Sequence, residues 1–137
     1  MTRTPAVPGG TLVLDCEGLA KAVQHDREVV GWLALARAED LQVITSAATL
    51  VEVMHPRIKR PAFEWMLSRL VVVPVTEDIA RRAAALLGDV GRHGHLHAID
   101  AMLAATALAA PGPVRVLTSD PEDLQALCGR RVTLIKI

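Results

Sequence analysis

The stretch Thr11-Leu-Val-Leu-Asp15 decides the fold, because a short run of β-branched and apolar residues ends there on a carboxylate. A run that offers no polar face to water is typical of a strand buried on both sides in a parallel sheet. Similar runs predict four further strands, at Gln42–Thr45, Leu70–Val75, Val114–Thr118 and Val132–Ile137. We expect the first four strands to be buried and the fifth, which carries Thr133 and Lys136, to lie at an edge.

Longer stretches with helical patterns separate these strands. They predict helices over Gly18–Gln24, Asp26–Ala38, Ser46–Met54, Arg57–Arg69, Glu77–Gly88, Ala98–Ala109 and Pro121–Leu127. Strands that alternate with helices in this way indicate βαβ units around a mostly parallel sheet of about five strands.

The composition favours one folded domain. The chain has 137 residues, of which 51% are hydrophobic and 22% charged, and this balance excludes the disordered class. Its apolar stretches, such as residues 101–110, are shorter than the ~20 residues that cross a bilayer. We expect a flexible leader over residues 1–10, a single domain over residues 11–137, and a cytoplasmic location.

Charge and cysteine content narrow the class of protein further. Fifteen basic and fifteen acidic residues give no net charge, so the basic surface of a general nucleic-acid binder is absent and any RNA contact must be local. Cys16 and Cys128 are far apart and fit neither a zinc motif nor a disulfide framework. We expect both thiols to be reduced.

Four carboxylates stand where the predicted strands and helices place a ligand site. Asp15 and Asp120 follow buried strands, and ligands of open parallel sheets bind beyond the carboxyl ends of the strands. Glu52 and Asp100 each interrupt an otherwise apolar helix, where an unpaired carboxylate costs several kcal/mol. A helix cap or an ion pair explains one such acid, whereas four at matching positions indicate a shared site.

Four neighbouring carboxylates repel one another, and a divalent cation relieves that repulsion. Oxygen ligands suit Mg²⁺ or Mn²⁺, and Mg²⁺ keeps positions for waters and phosphate oxygens. Two ions about 4 Å apart can activate water and stabilise the leaving oxygen of a phosphodiester. No motif for a nucleophilic serine, for NTP binding or for dinucleotide binding is present.

The four acidic motifs resemble those of the PIN-domain family, and within it the VapC-type toxins of bacterial toxin–antitoxin pairs. The resemblance covers nearly the whole chain. It rests on the segments Leu12-Val-Leu-Asp15, Ala47-Ala-Thr-Leu-Val-Glu52-Val, His97-Ala-Ile-Asp100-Ala-Met-Leu-Ala-Ala-Thr-Ala and Leu117-Thr-Ser-Asp120-Pro-Glu-Asp123-Leu. Each motif alone is weak, but their order and spacing are fairly specific.

The resemblance implies a three-layer α/β/α sandwich, a homodimer, and a Mg²⁺- or Mn²⁺-dependent endoribonuclease whose site a cognate antitoxin blocks. It implies that Asp15, Glu52, Asp100 and Asp120 bind the metal, with Asp123 in support through water or a second ion. The chain departs from the family at Cys16, where these toxins often carry serine or threonine. Cys16 can instead be a small buried hydrophobic residue.

Other polar and aromatic segments have an ordinary explanation as well as a functional one. The spacing of His93, His95 and His97 fits a transition metal if the segment is extended, but no neighbouring carboxylate or cysteine completes it in the sequence. His93 or Arg92 could instead contact RNA phosphate. The basic run His55-Pro-Arg57-Ile-Lys59-Arg60 could meet the RNA backbone or start an ordinary helix. Trp65 with Phe63 favours core or interface packing over base stacking.

Two alternative functions remain. One is a catalytically silent PIN-like domain that keeps the pocket and acts by binding a partner. The other is a receiver-type phosphoacceptor domain, with Asp78 and Thr118 after the third and fourth strands. That function leaves Glu52 and Asp100 without a role.

Overall fold

A computed structural model describes residues 9–92 and 94–137 of the chain, with the side chain of His95 also outside the described part. Most of the expected leader, residues 1–8, lies outside this range. The helices and strands are β1 (Thr11–Leu14), α1 (Cys16–Val23), α2 (Arg27–Ala38), β2 (Gln42–Ser46), a 3₁₀ turn (Ala47–Thr49), α3 (Leu50–Val53), α4 (Arg60–Leu67), β3 (Val71–Val73), α5 (Glu77–Asp89), α6 (Gly94–Ala109), β4 (Val114–Thr118), α7 (Pro121–Cys128) and β5 (Thr133–Lys136). None of the described helices has the length and apolar character needed to span a membrane.

All five strands form one parallel sheet in the order β3-β2-β1-β4-β5. The chain runs outward from β1 to β3 and then returns to place β4 on the other side of β1. Thr11 is therefore in register with Gln42 on one side and with Val114 on the other. The point where the strand order reverses lies between β1 and β4, which is where parallel sheets of this kind bind their ligands.

Helices cover both faces of the sheet, because successive residues of a buried strand point to opposite sides. Leu12 and Leu14 pack with Leu19 and Phe63 in a core formed with α1, α2 and α4. Val13 packs in a second core with α5, α6 and α7, which includes the alanines of α6: Ala101, Ala104, Ala105 and Ala107. The arrangement confirms the expected α/β/α class.

The expectation that β3 is buried was wrong. It is an edge strand like β5, and Val71 is 46% exposed. A run of valines predicts a strand, but the number of neighbouring strands depends on the path of the whole chain. The edge position of β5 was predicted correctly.

Two helices also differ from their expected bounds. The helix expected at Ser46–Met54 is a 3₁₀ turn capped by Ser46, whose Oγ accepts from Ala48 N at 3.1 Å, followed by the single turn of α3. The helix α4 starts at Arg60, three residues later than expected, with Pro61 in its first turn. Proline is favoured there because the first helical N–H groups have no intrahelical partner.

Candidate active site

Asp15 leaves the end of β1 beside the point where the strand order reverses. It caps α1, and its Oδ1 accepts a hydrogen bond from Gly18 N at 2.7 Å. Burial raises the pKa of Asp15, while hydrogen bonds from the Thr118 side chain and from Gly18 N–H act in the opposite direction. Capping is therefore one role of this carboxylate, and its burial disfavours a negative charge that has no cation nearby.

Asp120 follows the neighbouring strand β4 and stands at the start of α7. Its backbone N–H donates to Thr118 Oγ1 at 2.9 Å, so Thr118 ties together the segments that carry Asp15 and Asp120. The Asp120 side chain is exposed and makes no capping hydrogen bond to α7. Its carboxylate is therefore not used in holding the helix start.

Glu52 reaches the same region from α3, with an exposed side chain. Burial raises the pKa of the Cys16 thiol, and a hydrogen bond and the negative charge of Glu52 raise it further. Cys16 Sγ also lies 4.0 Å from Thr49 O. The half-buried cysteine thus occupies the position after Asp15 as a protonated thiol between the helix start and Glu52.

Two buried threonines fix the strand end below these acids. Thr45 Oγ1 donates to Leu14 O at 2.7 Å, and it lies 2.8 Å from Thr49 Oγ1. Thr49 Oγ1 in turn lies 2.8 Å from Ser46 O, to which it donates. These contacts join the end of β1 to the turn that precedes Glu52.

Asp100 lies on α6 at the centre of the acidic group. Burial raises its pKa, and the negative charges of Asp123, Asp15, Glu52 and Asp120 raise it further, in that order of size. The four other acids that the sequence singled out are therefore close enough to Asp100 to repel its negative charge. Of these five acids, only Asp123 has a described arginine or lysine within 4.0 Å.

The tightest part of the cluster combines an imidazole with two carboxylates. Among the described residues, His97, Asp100 and Asp123 form the one group whose ligand atoms all lie within 4.8 Å of one another. Asp15, Glu52 and Asp120 join the acidic group but not this trio. Arg92 approaches it from the side, with Nη1 3.4 Å from Asp123 Oδ1.

The sequence did not predict that His97 lies beside Asp100 and Asp123. The histidine segment was expected to be extended, with no acid nearby to complete a metal site. The helix α6 (Gly94–Ala109) has a kink at His97, whose backbone departs from helical angles (φ −129°, ψ 15°), and the part after this kink agrees with the expected helix start at Ala98. The signal in the sequence was that His97 comes just before this helix and three residues before Asp100. His93 and the side chain of His95 lie outside the described residues.

A groove of about 790 Å³ leads away from the acids. Cys16 and Glu52 line one part of it, and His55, Arg57 and Lys59 line another. The basic run that the sequence singled out therefore stands next to the acidic group, in the loop before α4.

The two aromatic residues of α4 have different surroundings. Phe63 is fully buried, as expected for the core, whereas Trp65 is 50% exposed. The Arg69 guanidinium lies 5.1 Å from the centre of the Trp65 ring. A second groove of about 420 Å³ is bounded by Trp65 and by Leu33 of α2.

The donor set fits a hard divalent cation. Five carboxylates supply more oxygen ligands than one ion needs, and their mutual repulsion is the strain that a cation removes. His97 adds one nitrogen donor at the side of Asp100 and Asp123.

Comparison with known proteins agrees with this geometry. The sequence model of the family described as "PIN domain" matches residues 19–128, a range that includes Glu52, Asp100, Asp120 and Asp123 and begins just after Asp15. No curated protein sequence matches the chain.

Several solved structures share the fold. VapBC2 from Rickettsia felis, bound to a DNA fragment from its promoter, has a TM-score of 0.71 at 15% identity, over 93% of this chain and 98% of that one. A toxin–antitoxin complex from Klebsiella pneumoniae has a TM-score of 0.67 at 23% identity, over 93% and 100% of the two chains. FitAcB from Neisseria gonorrhoeae has a TM-score of 0.58 at 22% identity, over 92% and 97%.

Proposed function

The chain belongs to the PIN domain family, and on that premise we propose that it is a divalent-metal-dependent endoribonuclease. We further propose that it is the toxin of a toxin–antitoxin pair. One observation carries the nuclease proposal: burial raises the pKa of Asp100, and the charges of Asp123, Asp15, Glu52 and Asp120 raise it further. Of these acids, only Asp123 has an ion pair to a described arginine or lysine. A structural role for these acids would leave their repulsion unrelieved.

Asp15, Glu52, Asp100 and Asp120 would hold Mg²⁺ or Mn²⁺, with Asp123 in support. The bound cation would supply a Lewis acid and a water of lowered pKa for phosphodiester hydrolysis. Within the chain, Gly18 N–H and Thr118 hold the Asp15 carboxylate, and the threonine pair below α3 holds the turn before Glu52. These contacts fix the directions of the ligands before a cation binds.

RNA would reach the acids along the adjacent groove. Arg57 and Lys59 line that groove together with Glu52, and their charges can attract the phosphate backbone. Because the chain has no net charge, this local patch would supply much of the attraction and make binding sensitive to salt.

The proposed partners are a cognate antitoxin and a second copy of the chain. Support for the antitoxin comes from the similar structures, which are toxin–antitoxin complexes in which one chain aligns with this protein over nearly its whole length. Light scattering of the purified chain, alone and with the antitoxin, tests both. An RNA substrate and two free cysteines, Cys16 and Cys128, favour the cytoplasm as the location.

The nuclease proposal is tested with purified protein, a panel of structured RNAs, and Mn²⁺, Mg²⁺ or EDTA. We expect cleavage with either cation, none with EDTA, and none with Asp100→Asn. Asp40→Asn is the matched control. Asp40 is exposed and lies before β2, at the amino ends of the strands, whereas Asp15 and Asp120 follow the carboxyl ends. Its φ of 59° is one that asparagine tolerates. Cleavage by Asp100→Asn at the parental rate would refute the assignment.

Stability measurements separate the nuclease from a binding domain without catalysis. If the acids bind the cation, Mg²⁺ or Mn²⁺ at about one hundred times its dissociation constant raises the free energy of unfolding by ~2.7 kcal/mol. That increase without any RNA cleavage would favour the silent PIN-like domain. The absence of both effects would exclude the metal site.

A further inference from the structure

We propose that His97, Asp100 and Asp123 form a cation site of their own that binds first-row transition-metal ions in preference to Mg²⁺. The inference rests on the proposed nuclease function only in that Asp100 and its proposed support, Asp123, are shared with the proposed catalytic centre. It assigns a ligand role to a histidine that the four-acid site does not use. The chemical class of the ligand is a divalent ion that accepts an imidazole nitrogen, such as Mn²⁺, Co²⁺ or Zn²⁺.

The first support is geometric. His97, Asp100 and Asp123 each offer one ligand atom, and these three atoms lie within 4.8 Å of one another. The first two belong to α6, and the third belongs to α7, which packs on α6 through a shared core that includes Leu103 and Leu124. Asp100 and Asp123 are therefore held by two packed helices, and His97 stands at the kink of α6.

The second support is the position of Arg92. Its Nη1 lies 3.4 Å from Asp123 Oδ1, is buried, and makes no hydrogen bond to any described residue. The Arg92 guanidinium thus lies near Asp123 without a hydrogen bond from Nη1 to its carboxylate. Asp100 has no ion pair within the described residues.

The Arg92 contact is one that a metal ion can replace. The Arg92 side chain is 26% exposed and so has access to water. Water can therefore solvate the guanidinium when Asp123 binds a metal ion instead. A divalent ion can contact His97, Asp100 and Asp123 together, whereas the guanidinium contacts only Asp123. Arg92 is then a competitor that lowers the affinity of the site.

The choice of metal follows from the donors. Carboxylates alone bind Mg²⁺ well, but imidazole is a ligand for the softer transition metals, whose affinities exceed that of Mg²⁺ at mixed nitrogen and oxygen sites. One nitrogen with two carboxylates therefore discriminates against Mg²⁺ in a way that Asp15, Glu52 and Asp120 cannot.

The test uses the full-length protein without RNA and Mn²⁺ as the probe. Pulsed electron paramagnetic resonance detects a nitrogen bound to Mn²⁺, and we expect that coupling in the parent protein and its loss in His97→Gln. Calorimetry should show that His97→Gln lowers the Mn²⁺ affinity by about tenfold or more, since even indirect partners of a metal contribute that much. The Mg²⁺ affinity should stay unchanged.

Two matched variants locate the nitrogen. The double variant His93→Gln, His95→Gln makes the same change at neighbouring histidines and should keep the coupling. Asp123→Asn should lose the coupling, whereas Asp120→Asn, the same change three residues earlier, should keep it. Circular dichroism and thermal unfolding without metal check that each variant folds.

The proposal is overturned if bound Mn²⁺ shows no nitrogen coupling, or if the coupling persists in His97→Gln and disappears in the His93, His95 double variant. Either result leaves the nuclease proposal intact, because that proposal depends on cleavage of RNA and on the four acids. Conversely, a protein that binds Mn²⁺ through His97 but cuts no RNA would refute only the nuclease.

Discussion

The backbone of Gly18 lies directly against the carboxylate of Asp15. The Gly18 N–H donates to Asp15 Oδ1 at 2.7 Å, and a Cβ at Gly18 would stand 3.4 Å from that oxygen and 3.1 Å from Leu117 O. The smallest residue therefore stands where β1, β4 and the start of α1 meet. A side chain there would crowd the Leu117 carbonyl, which accepts a hydrogen bond from Asp15 N at 3.2 Å, and so would shift the acid that the proposed metal needs.

Gly18→Ala should lower the affinity for Mn²⁺ and the rate of RNA cleavage. Gly31→Ala is the matched control, because Gly31 is in α2 and its new Cβ would have no atom within 4 Å. Alanine should stabilise that exposed helix position by up to about 1 kcal/mol without affecting cleavage. Gly18→Ala should gain less stability, because the Leu117 carbonyl must move. Equal effects of the two variants in urea unfolding and cleavage assays would contradict this prediction.

Asp100→Asn should make the metal-free protein more stable at neutral pH. The pKa of Asp100 is raised above 3.8 in the folded state by burial and by the neighbouring carboxylates. The folded protein then binds more protons than the unfolded chain between these two pKa values, so the free energy of unfolding falls as pH rises through them.

The variant removes that loss of stability, so its advantage over the parent protein should be small below pH 3.8 and should grow as pH rises through the raised pKa. Urea unfolding in EDTA over a series of pH values measures this difference. A constant difference across the series, or a variant that is less stable than the parent at neutral pH, would speak against repulsion at Asp100.

Thr45→Val should destabilise the fold and weaken metal binding together. The change removes the hydroxyl that donates to Leu14 O at 2.7 Å and meets Thr49 Oγ1 at 2.8 Å, both in the buried core. Loss of such a partner costs about 1–3 kcal/mol. The free energy of unfolding and the Mn²⁺ affinity, measured on one preparation, test the two effects.

Thr133→Val is the control for that change, because Thr133 is exposed on the edge strand β5. It should alter the free energy of unfolding by no more than about 0.5 kcal/mol. If Thr45→Val proved as mild as this control, the hydroxyl network would not be what holds the strand end in place.

Both cysteines should resist alkylation in the native protein at pH 8. Burial raises the pKa of Cys128 to about 11, and burial together with the charge of Glu52 raises that of Cys16 further. Only the thiolate reacts, and few thiolates form under these conditions. Mass spectrometry after iodoacetamide treatment measures each cysteine separately.

Glu52→Gln should make Cys16 react faster, because it removes one of the negative charges that keep the thiol protonated. Cys128 is the internal control. It is the last residue of α7 and is buried in the core, and its pKa does not depend on Glu52. If alkylation of both cysteines became faster by the same factor in Glu52→Gln, the result would indicate loosening of the whole fold and would contradict the prediction.

Local patterns were enough to predict the elements and the acids. Apolar runs marked all five strands, and carboxylates at strand ends or inside apolar helices marked Asp15, Glu52, Asp100 and Asp120. Their proximity could be foreseen because parallel strands end at one edge of a sheet. The edge position of β3 could not, because Val71–Val73 has the same composition whether one or two strands flank it.

The amino-acid sequence by itself determined the class of fold and the acidic chemistry, since both follow from hydrophobic periodicity and from the cost of burying a lone carboxylate. Only the tertiary structure decided which side chains meet: the ligand atoms of His97, Asp100 and Asp123 lie within 4.8 Å of one another, and Arg92 lies against Asp123. These groups come from three separate segments of the chain. Their distances depend on how α6 packs on α7, and no local pattern encodes that packing.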